Sequence, residues 1–117
     1  MQMTPEQAAK LAVEAALDRK AGDLKLLRVT ELTTLADYYV ICTGTSNTQM
    51  KAIAESVEHL LEENGMPVLH TEGYGSASWV LIDFGSVIVH VFNRDVREFY
   101  ALERLWGDAE VIDPETL

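Results

Sequence analysis

The residues Tyr38-Tyr39-Val40-Ile41-Cys42-Thr43 run on without a charged interruption. A strand with one solvated face alternates apolar and polar side chains, so an unbroken run of this kind predicts a central strand buried on both faces. The rest of the chain must then supply cover for two faces. Its 117 residues fit one domain, 1–117, and a hydrophobic share of 48% provides a core and is too apolar for intrinsic disorder.

Upstream, Thr4-Pro5-Glu6-Gln7 reads as a capping box. The Thr4 hydroxyl can accept from the Gln7 amide, the Gln7 side chain can reciprocate, and Pro5 suits the first helical turn. Ala8, Leu11, Ala12, Ala15 and Ala16 then recur at helical spacing, a narrow stripe of small residues that packs closely on a neighbour. Gly22 is expected to end this helix in a left-handed turn, ahead of a β-rich stretch from Lys25 to Val29. After the central run, Gly44-Thr45-Ser46 leads into a second expected capping box, Ser46 with Gln49. Met50, Ile53, Ala54, Val57, Leu60 and Leu61 continue at helical period until Gly65 and Pro67. A short strand at Val68 to Thr71 completes a βαβ unit, so the sheet is at least partly parallel.

From Ser78 to Phe92 the pattern becomes a hairpin turning at Gly85-Ser86, where Gly takes the first central position of a type II′ turn. That turn fixes the register. Val80, Ile82 and Phe84 fall opposite Val91, Val89 and Val87 on one apolar face. The other face pairs Trp79 with Phe92, Leu81 with His90, and Asp83 with Ile88. A last helix is expected from about Asp95 to Trp106, with Val96, Phe99, Leu102 and Trp106 on one stripe and Tyr100 and Glu103 on the next. The acidic tail, Asp108 to Leu117, contains Pro114 and no base and is expected to be a loosely held end. The fold class is α/β: a mixed, partly parallel sheet of about five strands flanked by helices.

Nineteen acidic residues against nine basic ones leave a net charge of −10. A field of that sign opposes phosphate backbones and anionic lipid and favours a basic partner. The single cysteine, Cys42, excludes a disulfide within the chain and a Cys-only metal cage, and within so apolar a run it reads as a buried, inert thiol. No basic start followed by an apolar block opens the sequence, and no apolar run approaches the roughly 20 residues of a bilayer span, so a cytoplasmic protein is expected.

The strand-to-helix turn Gly44-Thr45-Ser46-Asn47 has two readings. It is either a capped helix after a tight turn or an anion site on free amides, the latter suiting a phosphate-metabolite or nucleotide-binding enzyme. It lacks a P-loop lysine and the full dinucleotide fingerprint. Nucleotidyl transfer needs clustered carboxylates, whereas Asp83 stands alone between Leu81 and Ile88. His59, His70 and His90 fall on a helix and two different strands, without the convergence a zinc site needs, so no metal or cofactor is expected. What remains is an aromatic and acidic set, Trp79, Asp83, Tyr100, Glu103 and Trp106, which reads either as an interface for a basic partner or, for the tryptophans, as core.

Several ordered blocks then carry a resemblance. They are Ala36 to Gly44 with Ser46 and Gln49, Glu72-Gly73 ahead of Trp79-Val80-Leu81-Ile82-Asp83, Val89-His90-Val91-Phe92, and Arg97 to Trp106. Over nearly the whole chain these resemble the ribosomal silencing factor, or Iojap-like, family. The resemblance implies a nucleotidyltransferase-like topology without catalytic carboxylates, and a non-catalytic translation factor. It further implies binding to large-subunit ribosomal protein fourteen on the intersubunit face, where the protein blocks joining of the small subunit in nutrient limitation or stationary phase. A homodimer that competes with ribosome binding is also implied. Carried over by position, the contact set is Trp79, Asp83, Tyr100, Glu103 and Trp106, with Leu81 and His90 nearby on the hairpin face.

Overall fold

A computed structural model describes residues 3–34, 36–75, 78–94, 107 and 109–116. Among them, the elements are α1 (Pro5–Asp18), β1 (Gly22–Arg28), β2 (Tyr38–Gly44), α2 (Asn47–Glu63), β3 (His70–Glu72), β4 (Trp79–Asp83), β5 (Val87–Asn93) and β6 (Glu110–Ile112). A short 3-10 turn follows at Pro114–Thr116. The strands form one mixed sheet in the order β3-β4-β5-β2-β1-β6, in which β2 and β5 run parallel and the other neighbours are antiparallel. All seven residues of β2 are buried, as its unbroken apolar run requires.

Two expectations about the sheet are corrected. The βαβ reading set β3 beside β2, but β5 takes that place and β3 lies at the far edge beyond β4. Side-chain character explains the order: Val87, Val89, Val91 and Phe92 of β5 are all fully buried and suit an interior strand, whereas His70-Thr71-Glu72 suits an edge. Among the described residues the sheet has six strands, against an expectation of about five. Glu110–Ile112, within the tail expected to be loose, pairs with β1 through Leu26 to Ile112 and Leu27 to Val111.

The hairpin register is the expected one at every position, from Trp79 opposite Phe92 to Asp83 opposite Ile88. Gly85 takes φ +93° in the turn. Val80, Ile82, Phe84, Val87, Val89 and Val91 join Leu26, Val40 and Cys42 on the sheet face that meets both helices. Each such aliphatic or aromatic side chain contributes about 1.5–3 kcal/mol of transfer free energy when fully buried. The alanines Ala8, Ala9, Ala12, Ala15 and Ala16 of α1 are almost completely buried in the same cluster. Their small side chains let the α1 backbone come close enough for Ser56 Oγ on α2 to donate to the Ala15 carbonyl at 3.1 Å. A second cluster, Leu27, Val29, Ala36, Tyr39, Ile41 and Phe92, lies on the opposite face.

The helix ends show where local signals were read correctly and where they were not. Thr4 and Gln7 form the reciprocal box at α1. Its C-terminus closes earlier than Gly22, which instead begins β1. Lys20 takes the left-handed position at φ 61°, Lys20 N donates to Leu17 O at 2.9 Å, and Ala21 N to Ala16 O at 3.1 Å, a Schellman pattern built on a non-glycine residue. At α2 only half the expected box forms. Ser46 Oγ accepts from Gln49 N at 3.0 Å, but the Gln49 side chain accepts from Thr45 N at 2.7 Å and donates to the Lys20 carbonyl at 3.0 Å. Gln49 therefore ties the start of α2 to the end of α1.

Candidate functional site

The hairpin pairing puts Trp79, Leu81 and Asp83 on the sheet face away from the two helices, and all three are partly exposed. Next to them at the sheet edge, β3 pairs His70 with Asp83 and Glu72 with Leu81. His70 and Glu72 are exposed, with His70 Nε2 3.1 Å from Glu72 Oε1. The result is a strip bearing an indole, a leucine and two carboxylates. Glu72 and His70 are not among the contact residues expected from sequence, because their place here depends on β3 joining β4 and not β2. Gly73, between the two strands, takes φ +76°, and a Cβ on it would sit 2.0 Å from the Trp79 carbonyl oxygen. No side chain fits there, so the strip depends on glycine at this position.

Asp83 has a local structural duty. One carboxylate oxygen, Oδ1, accepts from Gly85 N at 2.7 Å and closes the hairpin turn. Its charge also acts on Tyr39, whose hydroxyl is pushed above its usual range first by burial and then by Asp83. Among the described residues no group of three or more His, Cys, Asp or Glu could hold a metal ion. Cys42 is fully buried, with Sγ 3.8 Å from the His90 carbonyl oxygen.

His90 lies beneath the strip, only 5% exposed. The Trp79 indole Nε1–H donates to His90 Nδ1 at 3.1 Å. An indole nitrogen can only donate, so Nδ1 is the acceptor and the neutral ring carries its proton on Nε2. That Nε2 is buried without a hydrogen-bond partner among the described residues. Burial pushes the imidazole down to about 4. Phe92 stacks on Trp79 at 4.9 Å between ring centroids, and Tyr39 meets the His90 ring edge-on at 5.1 Å. Trp79 is thus anchored from below while part of it faces outward. Tyr100, Glu103 and Trp106, with the helix expected to carry them, lie outside the described residues.

The Gly44–Asn47 turn has a packing explanation. A Cβ on Gly44 would lie 2.7 Å from Met50 Cγ and 3.2 Å from Met50 N, so glycine lets α2 start directly against β2. The Thr45 and Gln49 amides are already engaged by Gln49 Oε1 and Ser46 Oγ. A recess of about 830 Å³ between α1 and α2 is lined in part by Glu14, Asp18, Arg19, Glu55 and His59. It belongs to the opposite side of the sheet from Trp79 and shares no residue with the strip.

Residues 2–117 match the family model described as ribosomal silencing factor during starvation. The chain belongs to the ribosomal silencing factor family. A ribosomal silencing factor from Bacillus subtilis is 42% identical over 111 residues, covering 95% of this chain and 94% of that protein. A crystal structure of a Chromobacterium violaceum protein superposes with a TM-score of 0.88 at 43% identity, over 90% of this chain and 88% of that one. A mouse protein named for mitochondrial assembly of the ribosomal large subunit is 32% identical over 89 residues, 74% of this chain and 39% of the mouse protein. Family members are ribosome-associated regulators by name, and the described fold holds no helix long and apolar enough to cross a membrane.

Proposed function

We propose that this protein acts in the cytoplasm as a non-catalytic translation repressor. It binds the large ribosomal subunit through large-subunit ribosomal protein fourteen and occupies the intersubunit face. The small subunit is then sterically excluded, and translation falls in nutrient limitation or stationary phase. The observation that carries this reading is the family match over residues 2–117. The contact residues proposed are Trp79, Leu81 and Asp83 of the strip, with His90 acting from beneath, together with Tyr100, Glu103 and Trp106, which the family resemblance adds. Its chemistry supports the choice: a partly exposed indole supplies contact area, and Asp83 and Glu72 favour a basic protein over rRNA phosphates. The net charge of −10 adds the same preference at longer range. A homodimer using this face would compete with the ribosome for it.

Separated small and large subunits passed over immobilised protein test the partner. Retention of the large subunit alone, displaced by free ribosomal protein fourteen, is expected. Equal recovery of both subunits in the flow-through would overturn the proposal.

A further inference from the structure

The inference concerns His90 and deepens the contact reading, on which it rests. Trp79 is partly exposed on β4, one strand in from the sheet edge, and a large flat side chain in that position has several rotamers open to it unless something selects one. Among the described residues, Phe92 and His90 bear on that choice. Phe92, directly opposite on β5, stacks on the indole at 4.9 Å, which fixes the ring plane but leaves its in-plane direction free. The hydrogen bond from Nε1–H to His90 Nδ1 at 3.1 Å fixes that direction. His90 is itself buried, 5% exposed and packed between Phe92 and Tyr39.

The histidine carries a cost that a pure core residue would not. Its Nε2–H is buried without a hydrogen-bond partner among the described residues, and such an orphan donor is destabilising. Phenylalanine would fill a similar volume between the same rings with no orphan group. The one interaction that phenylalanine could not supply is the acceptor for the indole. We propose that His90 is a positioning residue, which holds the Trp79 indole in a single orientation so that its outward edge meets the partner preorganised. Binding then loses less side-chain entropy on docking.

The test uses the full-length protein and isolated large subunits, with His90→Phe, His90→Asn and Trp79→Ala. Asparagine keeps an acceptor near the Nδ1 position, whereas phenylalanine keeps the stack and removes the acceptor. Binding is measured well below each variant's melting temperature, and the Trp79 indole N–H resonance is followed by ¹⁵N NMR, assigned by its loss in Trp79→Ala. His90→Phe should shift that resonance and weaken binding about tenfold, the scale of one lost hydrogen bond of roughly 1.4 kcal/mol. His90→Asn should restore both to near wild type. Weakened binding in Trp79→Ala with wild-type affinity in His90→Phe, or an unmoved resonance in His90→Phe, would overturn the positioning role alone. Wild-type affinity in Trp79→Ala would instead overturn the contact reading for Trp79, and the positioning role with it.

Discussion

Acidification should destabilise this protein through His90. The imidazole is held neutral by burial and titrates at about 4 in the fold, against 6.5 when exposed. Between those values the unfolded chain binds a proton that the folded chain refuses, so stability rises with pH across the window. The contribution is complete above about pH 6.5 and is lost as pH falls towards 4, to a total of about 3 kcal/mol at 1.36 kcal/mol per unit. Protonation also puts a hydrogen on Nδ1, which then cannot accept from the Trp79 indole. Moving from pH 7.5 to 5.0 should cost about 2 kcal/mol, which for a chain of this size lowers the melting temperature by roughly 6–10 °C. Urea melts of wild type and His90→Asn at both pH values measure it. His90→Asn leaves every other side chain unchanged, so the difference in slope between the two proteins isolates His90. Parallel pH dependence in the two proteins would refute the reasoning.

Three further outcomes are expected. Gly73→Ala forces a Cβ to within 2.0 Å of the Trp79 carbonyl at φ +76°, so instead of the up to ~1 kcal/mol gained at an unstrained position it should destabilise by more than ~1 kcal/mol and weaken large-subunit binding in the same variant, read by denaturant melts and co-sedimentation. Gln49→Ala removes the link between α2 and the end of α1 and should destabilise by about 1–2 kcal/mol while leaving binding unchanged, since it lies on the other side of the sheet. Trp79→Ala and Tyr100→Ala should each weaken binding to isolated ribosomal protein fourteen by roughly 1–4 kcal/mol, measured by calorimetry on proteins shown to be folded.

The sequence was most legible where one local rule determined the answer. The Tyr38 to Thr43 run could only be a doubly covered strand, and the Gly85-Ser86 turn fixed every pair of the β4–β5 hairpin, because a two-residue loop leaves one register. Legibility failed where a choice depended on distant partners. Nothing within His70-Thr71-Glu72 says that it pairs with β4 across the sheet edge, and an acidic tail gives no sign that Val111 and Ile112 will find β1. Gln49 reached past its expected capping partner because the Arg19 and Lys20 carbonyls, just beyond α1, were within range, a tertiary competitor that spacing does not reveal. For the same reason the face candidates were found in part: Trp79, Leu81 and Asp83 followed from alternation, Glu72 did not, and His90 could be placed on the correct face without its depth being known.

Subunit joining tests the central claim most directly. Separated small and large subunits are mixed at a magnesium concentration that supports joining, with increasing protein, and the products are resolved by sucrose-gradient sedimentation. The account predicts that the joined peak falls in proportion to protein bound to the large subunit, and that Trp79→Ala largely restores it. Undiminished joining at saturating wild-type protein would contradict it.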